Sequence, residues 1–234
     1  MQIQRLMAGS ALALGACGSS SKDKSTTSAA QTPATTATAP TSTQPATGSN
    51  GCKKVAAQAA IKRTAKKPAT TLSSSKKHVV TLQTSCGTIK ITLDVKHDPT
   101  TASSFAKLAS SGFYDGLSFV RVVPGFVIQG GDPNGDGSGG PGYSIVEAPP
   151  SSQTYTKGIV AMAKTAAEAP GTSGSQFFIV TGADAGLPAE YAVAGKVTSG
   201  MAVADKIGAI PPTNGQDGPP SQPVSIEKAS VSSK

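Results

Sequence analysis

From His78 onward the apolar residues fall into short runs cut by glycine and proline, a pattern that leaves little room for long helices and much for short strands. Val80, Leu82 and Thr84 recur at every second position, and Ile89, Ile91 and Leu93 alternate with Lys90, Thr92 and Asp94. A period of two turns one face of a strand to a core and the other to water. Cys86 and Gly87 read as the turn between these strands. Asp98 before Pro99 reads as an N-cap and first helical position, and Ala102, Phe105 and Leu108 keep helical spacing until Gly112. Further strands are expected at Phe119 to Val123, Phe126 to Ile128, Gly158 to Ala163, Gln176 to Val180, Tyr191 to Val197, and at Val224 with Ile226 to Val231. A second helix is expected at Met201 to Ile207. Together these predict a mainly β fold, a closed antiparallel barrel capped by two helices. Strand order alone leaves a sandwich open as the alternative.

The first third of the chain has a different character. Arg5 precedes an apolar stretch from Leu6 to Ala16 that is too short to span a bilayer, and it ends in Leu14-Gly15-Ala16-Cys17. Residues 1–16 read as a lipoprotein signal peptide, with Cys17 the residue that becomes acylated, because this end resembles a bacterial lipobox. The competing reading is an ordinary signal peptide with an incidental cysteine. Lipidation would place the protein outside the cell, anchored to the outer face of the membrane without crossing it. Residues 17–51 are dominated by Ser, Thr, Ala, Gly, Gln and Pro and carry no aromatic residue, so they are expected to be a disordered tether.

Charge is confined as sharply. Residues 53–77 hold eight Lys or Arg and no acid, whereas residues 78–234 hold ten bases against twelve acids. Residues 52–77 are therefore read as a basic spacer, most simply solvated, with contact to anionic lipid or wall polymer as the second reading. The nearly neutral remainder, residues 78–231 with a tail at 232–234, shows no nucleic-acid-binding module. In an oxidising setting Cys52 and Cys86 are an even pair, either bridged or left as two free thiols, and the setting favours the bridge.

Several chemical motifs fail on inspection. Asp132-x-Asn134-x-Asp136-Gly137 begins like a calcium loop, but Tyr143 stands where a bidentate Glu is required. Gly135-x-Gly137-x-x-Gly140 matches a dinucleotide fingerprint, yet Pro141-Gly142 follows where a helix should open. Serine hydrolysis needs a base, and His78 and His97 sit away from any G-x-S-x-G elbow. The two Cys and two His show no ligand spacing, so no metal and no cofactor are expected.

Two runs remain: F-V-R-V-V-P-G-F-V-I-Q-G-G-D over residues 119–132, and G-T-S-G-S-Q-F-F-I over residues 171–179, with A-M-A at 161–163 between them. Together they resemble the signature segments of the cyclophilins, peptidyl-prolyl isomerases with an eight-stranded antiparallel barrel, and the resemblance extends from His78 to Val231. It implies that Arg121 is the catalytic arginine, Gln129 the residue fixing the substrate backbone, and Phe126, Met162, Phe178 and Leu187 the proline pocket. Val127, Gln176 and the backbone at Ala163 and Lys164 would line the groove, with Tyr191 at a rim where many members carry His. Three positions depart from the family: Val120 for a common His, Lys164 for a common Asn, and Gly186 where animal members carry Trp. The last counts against tight cyclosporin binding. The implied activity is cis-trans isomerisation of X-Pro bonds in extracytoplasmic, proline-containing clients by a monomer. A module that binds such segments without turning them over is the alternative.

Overall fold

The computed structural model describes residue 48 and residues 50–234. The signal segment 1–16, the lipidation site Cys17 and nearly all of the linker 17–51 lie outside the described residues.

The elements run His78–Thr84 (β1), Gly87–Leu93 (β2), Pro99–Ser110 (α1), Phe119–Val123 (β3), Val127–Gly130 (β4), Ile145–Val146 (β5), Ile159–Met162 (β6), Thr172–Ser173 (β7), Phe177–Val180 (β8), Val193–Ser199 (β9), Met201–Gly208 (α2) and Ile226–Ser233 (β10). Eight strands form one antiparallel sheet in the order β10-β1-β2-β9-β6-β8-β4-β3, and β5 pairs with β7 apart from it. The turn joining β1 to β2 is Ser85-Cys86, with Gly87 already paired to Thr84. Asp98 occupies the N-cap position of α1 but makes no capping bond. The first free amides are taken by a carboxylate distant in sequence, Thr100 N donating to Glu147 Oε1 and Thr101 N to Oε2, which also places negative charge at the positive end of the helix.

The expected closed barrel is corrected: the sheet is open between β3 and β10. No ladder joins these strands; the isolated bridges across the gap, Ser118 with Ser225 and Val122 with Gly218, take partners from the segments that precede them. The segment that faces β3, residues 218–225, contains Pro219, Pro220 and Pro223, which have no amide hydrogen to offer.

The pleat divides side chains between two apolar clusters. Phe177 packs inward with Phe105, Tyr114 and Phe119, rings 5.2 to 6.3 Å apart, in the cluster that α1 covers. Phe178, the next residue, points outward into a second cluster with Val127, Tyr155, Ala161, Val180 and Val193.

Residues 53–77 are not the solvated spacer expected from their charge. They run across the domain as a strap. Ile61 N donates to Pro133 O, Ala65 N to Pro141 O and Leu72 N to Ser103 Oγ, while Gln58 bonds the carbonyls of Asp132 and Pro133 and the amide of Ser118. Ile61, Ala65 and Leu72 pack on the inner core. A disulfide between Cys52 and Cys86 fixes the start of the strap to the β1-β2 turn.

Candidate functional site

Arg121 reaches the outer face through an irregularity. Phe119 and Val122 both face the core, 1% and 0% exposed, which strict alternation forbids for residues three apart. The register of β3 on β4 shifts between Phe119 and Arg121, so Val120 is an extra residue that rephases the strand and turns Arg121 outward. The β3-β4 connection is a tight turn closed by Phe126 N donating to Val123 O, 3.0 Å. Its central residues are Pro124 and Gly125, the latter at φ +72, the arrangement of a type II turn. The turn presents Phe126, whose carbonyl is held by the amides of Thr181 and Gly182 at 2.9 and 3.1 Å.

On the facing strand Gln129 stands directly opposite Arg121, and Phe178 lies opposite Gln129 on β8. These groups surround a cavity of about 190 Å³ lined by Arg121, Phe126, Val127, Gln129, Ala163, Lys164, Phe178, Leu187 and Tyr191. Pockets for drug-sized ligands run to about 300–1,000 Å³, so this one suits a single side chain or ring.

Of the pocket residues expected from sequence, Met162 does not belong to the cavity. It is fully buried on the inner cluster beneath it, because Ala161, its neighbour on β6, takes the outward position. Gln176 lies beside the cavity rather than in its wall. It accepts from Gln129 Nε2 at 2.9 Å and donates to the carbonyls of Gly137 and Gly139 at 2.8 and 2.9 Å. Gln129, Ala163 and Lys164 are shared with an adjoining larger cavity of about 730 Å³, walled by the glycine-rich loop 137–144.

The polar edge has a member that sequence reasoning missed. Asp217 accepts from Arg121 Nε at 2.6 Å and from Nη2 at 2.8 Å, a bidentate pair, leaving Nη1 directed at Gln129 Oε1, 3.4 Å away. The Val122-Gly218 bridge brings Asp217 there, at the diagonal position from Arg121. Hydrogen bonding to Asp217 raises the pKa of Arg121, and the guanidinium holds the Asp217 carboxyl below its ordinary value. Nothing local in the sequence marks this pair, since 96 residues separate its partners.

The apolar wall has one further member that was missed. Tyr155 is fully buried; its hydroxyl donates to Tyr191 O at 2.7 Å and accepts from Tyr191 N at 2.9 Å. Tyr191 stacks edge-on against Phe178 with centroids 5.5 Å apart. Lys164, whose side chain is only 3% exposed, folds back to pair with Glu190 at 2.9 Å and lies 5.5 Å from the Tyr191 ring centre. The arrangement is thus an apolar slot with one oriented cation and one amide at its edge. It has no nucleophile paired with a base.

Comparison with known proteins agrees on one family. The family described as cyclophilin type peptidyl-prolyl cis-trans isomerase/CLD matches residues 79–231. Peptidyl-prolyl cis-trans isomerase B of Bacillus subtilis is 50% identical over 104 residues, 44% of this chain and 71% of the relative. Peptidyl-prolyl cis-trans isomerase ppi1 of Schizosaccharomyces pombe is 42% identical over 154 residues, 64% of this chain and 96% of the relative. The crystal structure of a cyclophilin type peptidyl-prolyl cis-trans isomerase from Cryptosporidium parvum superposes with a TM-score of 0.62 at 30% identity, covering 68% of this chain and 99% of that one. The same protein in the presence of the dipeptide Ala-Pro gives 0.60 at 30% identity, covering 67% and 99%.

Proposed function

The chain belongs to the cyclophilin-type peptidyl-prolyl cis-trans isomerases, and from that membership we propose that it turns X-Pro bonds in extracytoplasmic proteins, with Arg121 stabilising the twisted amide above the slot formed by Phe126, Phe178, Leu187 and Tyr191. Conjugation gives the amide a rotational barrier of about 18–20 kcal/mol, and unaided rotation takes tens to hundreds of seconds. Twisting breaks the conjugation and leaves the prolyl nitrogen pyramidal and more basic. A guanidinium fixed beside it donates to that nitrogen more strongly in the twisted state than in either planar one, which is the condition for acceleration. Reaching milliseconds requires about four decades, or roughly 5.4 kcal/mol. One charge-assisted hydrogen bond supplies about 1.5–3 kcal/mol of it. The remainder comes from holding the ring in the apolar slot while Gln129 fixes the adjoining backbone.

The observation that carries this reading is the guanidinium at the edge of a ring-sized apolar slot, opposite a glutamine. The test is Arg121→Ala, measured by NMR exchange of a short X-Pro peptide. Loss of about 10- to 150-fold in exchange, with peptide still bound, is the expected result. Unchanged exchange overturns the arginine assignment. Binding by the unsubstituted protein without any acceleration returns the alternative of a non-catalytic peptide-binding module.

The cellular setting is a second part of the proposal: an exported protein acylated at Cys17, the residue that follows the apolar run Leu6 to Ala16. Cys17→Ser should move the protein from the membrane fraction to the soluble one. Retention of the serine variant in the membrane fraction is the contrary result.

A further inference from the structure

The strap carries its basic residues in a particular phase. Its inward positions, Val55, Gln58, Ile61, Arg63, Ala65, Pro68 and Leu72, are half-buried, while Lys54, Lys62, Lys66, Lys67, Lys76 and Lys77 are exposed. Arg63 spends its guanidinium on the carbonyls of Gly112, Phe113 and Asp115, which pins the strap beside the end of α1. Lys53 pairs with Glu227. Among the described residues the six outward lysines make no salt bridge. Alongside them α1 contributes the exposed Lys107.

The strap does not lie flat where these charges gather. It leaves two wells, of about 470 and 450 Å³, that share Lys66 and Lys107. The first adds Arg63 and the second Lys67, and serine hydroxyls of α1 and its C-cap line both, Ser111 in one and Ser103 and Ser110 in the other. No acidic side chain lines either well. The three hydroxyls donate to backbone carbonyls, Ser103 to Pro99 O, Ser110 to Lys107 O and Ser111 to Leu108 O, so recognition falls to the lysines, whose unopposed charge around a headgroup-sized hollow suits a phosphate diester.

We propose that this face docks on an anionic phospholipid surface, the headgroup phosphates entering the wells around Lys66, Lys67 and Lys107. Lipid, rather than another polyanion, is indicated by chain continuity, since the strap directly follows the segment read as membrane-tethered. In this one respect the inference rests on the reading of residues 1–17. None of the residues lining the wells lines the isomerase slot, so docking leaves the slot's own wall uncovered. The strap thereby orients the enzyme on the membrane rather than merely spacing it from it.

The test uses the full chain carrying Cys17→Ser, so that no acyl anchor contributes, and co-sedimentation with vesicles of phosphatidylglycerol and phosphatidylcholine. Each cation near an anionic surface is worth about a fivefold gain in partitioning. The triple variant Lys66→Gln, Lys67→Gln, Lys107→Gln should therefore bind about a hundredfold more weakly, and raising the salt severalfold should weaken the parent chain as well. X-Pro exchange measured on the same samples shows whether the variant is folded and stands independent of the outcome. Equal sedimentation of parent and variant overturns the proposal, as does equal binding to pure phosphatidylcholine. Displacement by soluble polyphosphate at matched phosphate concentration reassigns the face to a polyanion other than lipid and overturns the lipid assignment.

Discussion

Asp217→Asn isolates how the Arg121 guanidinium is held. The carboxylate, 55% exposed, accepts from Nε at 2.6 Å and from Nη2 at 2.8 Å of the Arg121 side chain, which is 35% exposed. At that exposure the pair contributes at most about 1 kcal/mol to stability, so the variant should fold normally. Turnover is affected more. Asparagine keeps the size of the side chain but offers one acceptor to a donor fork that now meets two, and it removes the charge that makes the bonds strong. Loss of one charge-assisted bond, about 1.5 kcal/mol, corresponds to roughly a tenfold fall in kcat/KM. The ceiling is the whole contribution of Arg121, about 150-fold on the same scale. The assay is a double-mutant cycle on peptide exchange, with Asp217→Asn made in the parent and in Arg121→Ala. If Asp217 acts by aiming the guanidinium, it has nothing to aim in the alanine background, and its effect there should be under about twofold. A tenfold loss in both backgrounds would show that Asp217 acts through the folding of its loop, and would refute the reasoning. Because Asp217 is held below its ordinary pKa by Arg121, the pair persists to a lower pH than an unpaired aspartate would stay charged.

Other outcomes follow from other sites. Burial, with repulsion from Glu147 and Asp94, raises the Asp98 pKa from 3.8 to about 6; the folded protein then binds a proton that the unfolded chain releases. Stability should accordingly fall as pH rises from about 4 to about 6, by roughly 2–3 kcal/mol at most. Asp98→Asn should remove that part of the slope in unfolding measured from pH 4 to 7.5, and an unchanged slope would contradict the assignment. Cys52→Ser opens a loop spanning 34 residues and should cost about 4 kcal/mol in the chain-entropy account, read by denaturant titration. A variant as stable as the parent would show that the bridge adds no net stability. Tyr155→Phe removes the hydroxyl bridging both backbone groups of Tyr191. It should cost about 1–3 kcal/mol and weaken peptide binding more than it slows exchange in saturated complexes, the reverse pattern to Asp217→Asn.

What could be read in the sequence was local. The alternation around Ile91 and the Asp98-Pro99 helix start each lie within a dozen residues, and the eight strands of the large sheet and both helices appear where those patterns put them, within a few residues, whereas the short β5-β7 pair was not foreseen. Arg121, Phe126, Gln129, Phe178, Leu187 and Tyr191 meet in one cavity, an assembly implied by resemblance and not by periodicity. Where reading failed, the missing partner was distant in the chain. Glu147 caps α1 in place of Asp98, Asp217 crosses 96 residues to Arg121, and the open seam follows from prolines that look like ordinary loop residues. The strap misled for a different reason. Its many lysines dominate the composition, yet Gln58, Ile61, Ala65 and Leu72 decide where it lies. Met162 was misplaced because a motif gives residue identity without the direction of the side chain, and on β6 it is Ala161 that faces the slot.

Phe177 and Phe178 are adjacent in sequence, yet one belongs to the interior and the other to the wall of the groove. The enzyme therefore has no scaffold separate from its site, since the same few strands are scaffold on one side and site on the other. Exchanges of one side chain for another on the outer side can vary from one lineage to the next at little cost to folding, which is how a groove can drift in client preference while its fold persists. Insertion or deletion of a single residue in β8 is another matter, because it exchanges the two faces over the length of the strand. Change in such a protein is confined by reading frame: substitution is open to the strands, and changes in length are left to the loops between them.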